Sequence, residues 1–258
     1  MAIKYDKQAA KNIELSYNTP DIARQRLQTL QALSLNAGEH VLDVGCGTAF
    51  LAREMAALVG GQGRVVGIDN SDDMLAVGRE RCNDLPQIEL KQAAADQIPA
   101  ADNSFDVVTC TQVLLYVPDL DAALSELYRV LKPGGRIAIV ETDWRGVVIN
   151  SSDDVLSRRI LSAFDQAVPN PNLPPKLRTL LKQKGFRNLR TEAIPILNTS
   201  MTPANFSVTS VRWLSGVAKK YGHATAEEVQ QWRDDLAEKA KNNEYFFCVN
   251  RFLFSAIK

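Results

Sequence analysis

The stretch best equipped for chemistry reads Val41-Leu42-Asp43-Val44-Gly45-Cys46-Gly47-Thr48-Ala49. An apolar run stops at Gly45-Cys46-Gly47, and a helical pattern takes over at Ala49. A glycine turn between a strand and a helix brings backbone N–H groups up to a ligand where a Cβ would collide. About 25 residues on, Asp69 closes a second apolar run, Arg64 to Asp69, where nucleotide-binding folds hold ribose hydroxyls with a carboxylate. The alternative role for Asp69 is to cap the helix that starts at Ser71.

Two features set this turn apart from a dinucleotide site. The third glycine of Gly-x-Gly-x-x-Gly would fall at Phe50. Asp43, inside the first strand, points toward the turn, and a carboxylate there opposes a pyrophosphate but suits an ammonium group. The ligand that satisfies both carboxylates carries ribose, adenine and a zwitterionic amino acid. S-adenosylmethionine has all three.

The elements that must position these residues alternate along the chain. Thr19-Pro20 starts a helix that carries Ala23, Leu27, Leu30 and Leu33 at helical spacing to about Leu35. Strands are expected at His40–Val44, Arg64–Asp69, Ile88–Lys91, Phe105–Cys110 and Arg136–Glu141, the last entered through the turn Lys132-Pro133-Gly134-Gly135. Helices are expected from Ala49 to Val59, from Ser71 to about Arg81, and from Leu120 to Leu131. Apolar strands alternating with helices make a doubly wound α/β domain around a parallel sheet. After Trp144 the rhythm changes. Helices are expected over Ser152–Val168, up to Gly185, over Pro203–Tyr221 and over Thr225–Ala240, with strands near Leu189–Leu197 and Tyr245–Ile257. The division is an N-terminal helical segment 1–36, a core 37–145, and cap helices with final strands over 146–258.

Val41 to Ala49, Val66 to Asp69, Ala95-Asp96-Gln97-Ile98-Pro99, Ser104 to Val108 and Leu131-Lys132-Pro133-Gly134-Gly135 resemble the successive motifs of class I S-adenosylmethionine-dependent methyltransferases. The closest subgroup is that of ubiquinone/menaquinone C-methyltransferases and related small-molecule enzymes. The resemblance covers about the first 145 residues in order and spacing. It implies a Rossmann-like seven-stranded sheet with N-terminal helices and a helical cap in the C-terminal part. It also implies roles by position. Gly45, Cys46 and Gly47 form the turn under the methionine moiety, and Asp43 faces its amino group. Asp69 holds the ribose, while Asn70 and Met74 flank the adenine. Asp96 and the Gln97 amide hydrogen-bond the base. Thr111 ends the fourth strand beside the sulfonium, and Tyr17 meets the cofactor carboxylate. Ala49 stands where glycine is most common.

Methyl transfer from a sulfonium needs alignment and exclusion of water more than a protein base. The candidates for a base, where the acceptor needs one, are His223, Tyr116, Glu141 and Asp143. For His223 the preferred reading is a solvated loop residue. Tyr116, Trp144, Phe206 and Trp213 are the candidates for an apolar acceptor pocket, against a role as ordinary core. The stretch Cys110-Thr111-Gln112-Val113-Leu114 lacks the Asn-Pro-Pro-aromatic motif of enzymes that methylate exocyclic amines of bases or glutamine amides.

Composition supports this reading. The 258 residues are 45% hydrophobic, 23% charged and 7% aromatic, near the average for a globular domain and unlike a disordered or fibrous chain. Thirty basic and thirty acidic residues cancel, which argues against a nucleic-acid partner. Cys46, Cys82, Cys110 and Cys248 are scattered and read as reduced thiols. With His40 and His223 the only histidines, no metal site is expected. No run reaches the ~20 apolar residues of a membrane span, and Met1–Lys7 does not read as a secretory signal. The expectation is a cytoplasmic enzyme, monomer or homodimer, that methylates carbon or oxygen of a small, largely apolar acceptor such as a quinol, polyketide, terpenoid or lipid-like molecule. The alternatives are a protein or RNA methyltransferase, or a catalytically silent module that binds S-adenosylmethionine.

Overall fold

A computed structural model describes residues 14–258; Met1–Lys7 and the rest of the first thirteen residues lie outside it. In chain order the elements are α1 (Pro20–Leu33), β1 (His40–Val44), α2 (Phe50–Val59), β2 (Arg64–Asp69), α3 (Asp72–Arg81), β3 (Ile88–Gln92), β4 (Phe105–Thr111), α4 (Leu120–Val130), β5 (Leu131–Thr142), β6 (Val148–Ile149), α5 (Asp154–Ser162), α6 (Phe164–Ala167), α7 (Pro174–Gln183), β7 (Arg187–Asn198), α8 (Phe206–Lys220), α9 (Ala226–Lys241) and β8 (Phe247–Ile257).

The strands join one sheet in the order β3-β2-β1-β4-β5-β8, with β7 and the two-residue β6 also paired to β8. The first five are parallel and β8 is antiparallel to β5, with Arg136 opposite Ile257 and Thr142 opposite Arg251. The seven expected strands are present, and β6 makes an eighth. Burial on both faces explains why the central strands read as continuous apolar runs. On one face Val41, Val65 and Val107 pack under α2 through Leu51, Met55 and Val59. On the other, Leu42, Val66 and Val108 pack with Leu124 and Leu127 of α4 and Leu177 of α7. Helices α5, α8 and α9 extend that second cluster through Ile160, Leu214 and Trp232.

Several boundaries differ from expectation. The run Ser152–Val168 is two helices, broken at Ala163. Strand β5 begins at Leu131 rather than Arg136, with an irregular register opposite Phe105–Val107 that absorbs the Pro-Gly-Gly segment. Helix α8 starts at Phe206, not Pro203. The stripe expected on α1 is out of phase: Ala23 and Leu27 face solvent, and Ile22, Gln25, Arg26, Thr29 and Leu33 are buried. The inner face of α1 is therefore partly polar. Arg26 Nε donates to Glu54 Oε1 at 2.9 Å and Nη1 to the Tyr17 carbonyl at 2.6 Å, while Gln25 meets Arg251. Paired polar groups can sit where an apolar stripe would otherwise be needed.

Candidate active site

The carboxyl ends of β1, β2 and β4 converge on the glycine turn. Its N–H groups are fixed from the second strand: Gly45 and Cys46 both donate to the Ile68 carbonyl, at 2.7 and 2.9 Å. Gly47 donates to Asp69 Oδ2 at 2.9 Å, while Oδ1 of the same carboxylate accepts from Ser71 N–H at 2.9 Å. Asp69 thus ties the turn to the entrance of α3, whose N-cap is Ser71, the residue whose hydroxyl accepts from Met74 N–H. Each carboxylate oxygen still has a lone-pair site for a further donor. Gly45 has φ +70°, and a Cβ there would meet Val113 Cγ2 at 2.1 Å. Gly47 has φ +54°, and its Cβ would meet Met74 Cε at 3.2 Å. Ala49 adopts the same left-handed region at φ 61°, which costs a non-glycine residue about 1–2 kcal/mol.

Asp43 is the most exceptional group in the turn's surroundings. It is 2% exposed, and its Oδ2 has no hydrogen-bond partner among the described residues. Burial, reinforced by the Asp69 charge, pushes its carboxyl up to about 8. A narrow cleft brings Asp43, Gly45, Cys46, Gly47 and Thr111 together with Tyr17. The Tyr17 ring is stacked near Phe50, with centroids 6.5 Å apart. The Thr111 hydroxyl is buried and unpartnered among the described residues.

The residues expected around a purine lie beside the ends of β2 and β3. Asp69 pairs in register with Gln92, and Gln92 Nε2 donates to the Asn70 carbonyl at 3.1 Å. Met74 is buried, Asn70 and Gln97 are exposed, and Asp96 is half-buried. The Gln97 N–H, expected to reach a ring nitrogen, donates to the Ala94 carbonyl at 3.2 Å.

Beyond Tyr17 lies a cavity of about 540 Å³, within the size range of small-molecule sites. Tyr17 lines it as well as the cleft. All four residues expected in an apolar pocket, Tyr116, Trp144, Phe206 and Trp213, are in its wall. They are brought there by the 3-10 turn Leu114–Tyr116, the turn after β5, and α8. The Trp144 ring lies 5.2 Å from Trp213, 5.5 Å from Phe164 and 6.4 Å from Phe206, centroid to centroid.

Of the four candidate bases only Tyr116 lines the cavity. Glu141 is wholly buried and absent from its wall. Its Oε1 accepts from Val113 and Leu114 N–H at 3.1 and 2.7 Å, holding the turn that carries Tyr116, and burial pushes its carboxyl up to about 8. Asp143 is half-buried at the start of the turn that carries Trp144 and is not in the cavity wall. His223 is not in the cavity wall, and its ring is within hydrogen-bond distance of Ser162 Oγ and Gln166 Nε2. A loop position fixed by these polar neighbours on α5 and α6 explains it. No group of three or more potential metal ligands occurs among the described residues.

Sequence reasoning missed Arg251 of β8, buried and in the cavity wall. It also missed Gln25 and Arg26 of α1, which line the cleft. The signal for Arg251 was available: a single charge inside the apolar run Phe247 to Phe254, since charged residues are seldom fully buried without a purpose.

A sequence profile of the family described as "Methyltransferase domain" matches residues 35–185. The demethylmenaquinone methyltransferase of Listeria welshimeri is 45% identical over 119 residues, 45% of this chain and 50% of that protein. An uncharacterized 37.1 kDa protein in transposon TN4556 of Streptomyces fradiae is 33% identical over 222 residues, 85% of this chain and 64% of that one. Among solved structures, the phosphoethanolamine N-methyltransferase 2 of Haemonchus contortus in complex with S-adenosyl-L-methionine superposes with a TM-score of 0.64. It is 22% identical over 98% of this chain and 57% of that one, a likeness of fold. The chain thus spans about half the length of the curated methyltransferases it matches. With a family profile covering more than half of its residues, a central sheet of the same architecture and the glycine turn at the end of β1, the chain belongs to the methyltransferase domain family.

Proposed function

We propose that this protein transfers a methyl group from S-adenosylmethionine to a small, largely apolar acceptor, at carbon or oxygen. The observation that carries the reading is the sharing of Tyr17 between two spaces. One is the cleft of Asp43, Gly45 and Gly47; the other is the aromatic cavity. A donor seated in the first would present its methyl toward an acceptor in the second.

The residues present fit the donor. Asp43 offers a buried oxygen with no partner among the described residues, suited to an ammonium group. Gly45 lets the turn lie against Val113, whose side chain a Cβ would overlap. Asp69, already fixed by two N–H groups, retains acceptor capacity for ribose hydroxyls. Asn70, Met74 and Asp96 flank the same strand ends for the adenine, and the Thr111 hydroxyl stands at the end of β4. When bound, the donor supplies a methyl on a sulfonium whose bonding pair stays with sulfur. The chain's own task is to align the acceptor and keep water out, which the cluster of Trp144, Trp213 and Phe206 suits.

The kinship with the Listeria demethylmenaquinone methyltransferase favours a cyclic, quinol-like acceptor over a nucleic acid or protein. The test is incubation with methyl-labelled S-adenosylmethionine and a metabolite extract, followed by mass spectrometry. Label appearing in a low-polarity small molecule supports the reading. Label in RNA or protein overturns the acceptor class, and donor binding without any turnover supports a silent module.

A further inference from the structure

The wall of the aromatic cavity holds a cation that the apolar-acceptor reading does not use. Arg251, in the middle of β8, is 5% exposed and lines the cavity with Tyr17, Tyr116, Trp144 and Phe206. Its backbone is fixed on both sides, opposite Thr142 of β5 and Ile194 of β7, so the strand cannot carry it out to solvent. The guanidinium lies over the Phe206 ring, 4.8 Å from its centroid, and donates from Nη1 to Gln25 Oε1, a neutral partner. Its Nε is buried with no hydrogen-bond partner among the described residues. A guanidinium has five donors in a planar fork suited to an oxyanion.

The groups near enough to feel this charge do not neutralise it by contact. Glu141 commits Oε1 to the Val113 and Leu114 N–H groups, and Asp21 commits Oδ2 to Phe206 N–H and Asn198. The remaining two are the phenols of Tyr17 and Tyr116. Burial pushes the Arg251 guanidinium down to about 10, which leaves it charged at neutral pH. Arg212 and Lys220 add two exposed cations to the wall, and among the described residues no aspartate or glutamate lines it. Trp144 contributes a second orphan, an indole N–H that is buried without a partner among the described residues. Both orphans are donors and neither can accept. Leaving a buried cation uncompensated is costly, and an anionic ligand would remove that cost.

We propose that Arg251 holds an ionised oxygen of the acceptor, so that the molecule methylated is an apolar skeleton carrying an acidic hydroxyl or carboxyl group. The inference rests on the acceptor reading above and narrows it. The proton of that group goes to solvent. The oxygen paired with the guanidinium, or the carbon conjugated to it, would form the bond to the methyl as the methyl–sulfur bond breaks and leaves its pair on sulfur. For attack by carbon the hydrogen displaced there also leaves to solvent as a proton, so no protein base is needed. This accounts for a cavity wall in which none of the carboxylates or histidines weighed as bases appears.

The test uses the whole protein and three probes of one shape: 2-naphthol, 2-naphthoate and methyl 2-naphthoate. Binding is read by quenching of Trp144 and Trp213 fluorescence, and naphthol ionisation by its own absorption. Wild type should bind 2-naphthoate roughly tenfold or more tighter than the methyl ester, the factor one charge-assisted hydrogen bond supplies, or bind 2-naphthol with a red shift marking the naphtholate. The first result identifies a carboxylate-type acceptor and the second a phenol or enol type. Arg251→Gln should erase the preference and leave methyl ester affinity within about threefold, and Arg251→Lys should retain part of it. Equal wild-type affinity for anionic and neutral probes, with no red shift, overturns the proposal even if the variants fail to fold. A preference that survives in Arg251→Gln overturns it too. Calorimetry with S-adenosylmethionine, run separately, distinguishes this failure from that of the methyl-transfer reading: donor binding without anion preference removes only the role of Arg251.

Discussion

Replacing Asp43 by asparagine should make the ligand-free protein more stable and the cofactor complex weaker. In the unfolded chain this carboxyl ionises near pH 4. In the fold, burial and the neighbouring Asp69 push it up to about 8. The native state therefore binds a proton that the unfolded state has lost, and stability falls as pH rises from about 4 to about 8. At 1.36 kcal/mol for each pH unit, the ceiling on that loss at pH 7 is roughly 4 kcal/mol. The amide of Asp43→Asn has the same shape as the carboxyl and no titration, so the ceiling on its gain is similar. A realised gain of only ~1 kcal/mol would raise Tm by about 2–4 °C for a chain of this size. Binding moves in the opposite direction. A charge-assisted bond to the ammonium group of S-adenosylmethionine contributes about 1.5–3 kcal/mol, so its loss weakens affinity roughly 10- to 150-fold. The assay pairs thermal unfolding between pH 5 and 8.5 with calorimetry. Wild-type affinity should rise with pH as the carboxylate ionises and fall again above about 8, where the α-ammonium of the ligand loses its own proton. A Tm that does not fall with pH in wild type, or an Asp43→Asn variant that binds S-adenosylmethionine as wild type does, would refute the reasoning.

Four further outcomes are expected. Gly45→Ala should destabilise the fold by about 2–4 kcal/mol in thermal unfolding and abolish donor binding, because its φ of +70° disfavours a side chain and the Cβ would overlap Val113. A Tm within a degree or two of wild type would show that the turn adjusts. Asp69→Ala should weaken S-adenosylmethionine by about 1–3 kcal/mol in calorimetry, and unchanged affinity would leave Asp69 as a brace for Gly47 and Ser71 only. Trp144→Phe should raise the acceptor KM with donor affinity unchanged, since Trp144 lines the cavity and not the cleft; an equal loss in both would place the two ligands differently. His223→Ala should leave turnover within a few-fold, since His223 bonds to Ser162 and Gln166 and is not in the cavity wall, and a loss approaching ~10² would restore it as a general base.

The sheet was legible because parallel strands buried on both faces read as apolar runs, as Val65–Ile68 and Ile137–Val140 do. The glycine turn was legible because Gly45 and Gly47 need positive φ where the chain reverses. That Tyr116, Trp144, Phe206 and Trp213 share one cavity wall follows from their position after strand ends and on one helix. What local pattern could not show is partnership across the chain. Gln25 and Arg251 are 226 positions apart, and a hydrogen bond between them joins two buried polar side chains. That pairing also explains the misread face of α1, where a polar side chain takes a place that periodicity assigns to Ala23 or Leu27. Glu141 was singled out as a possible base, yet its hydrogen bonds to Val113 and Leu114 make it a support for the neighbouring turn. No rule of strand composition distinguishes those roles. The break at Ala163 carries neither glycine nor proline to announce it.

The central claim is that the cleft at the carboxyl ends of β1, β2 and β4 holds an adenosyl amino acid, and a crystal grown with S-adenosylhomocysteine tests it most directly. The expected density places its amino group within hydrogen-bond distance of Asp43, its ribose hydroxyls on Asp69, and the thioether sulfur facing the Trp144 cavity. Crystals grown at saturating concentration that show the cleft without the molecule, or the molecule bound elsewhere on the sheet, would contradict it.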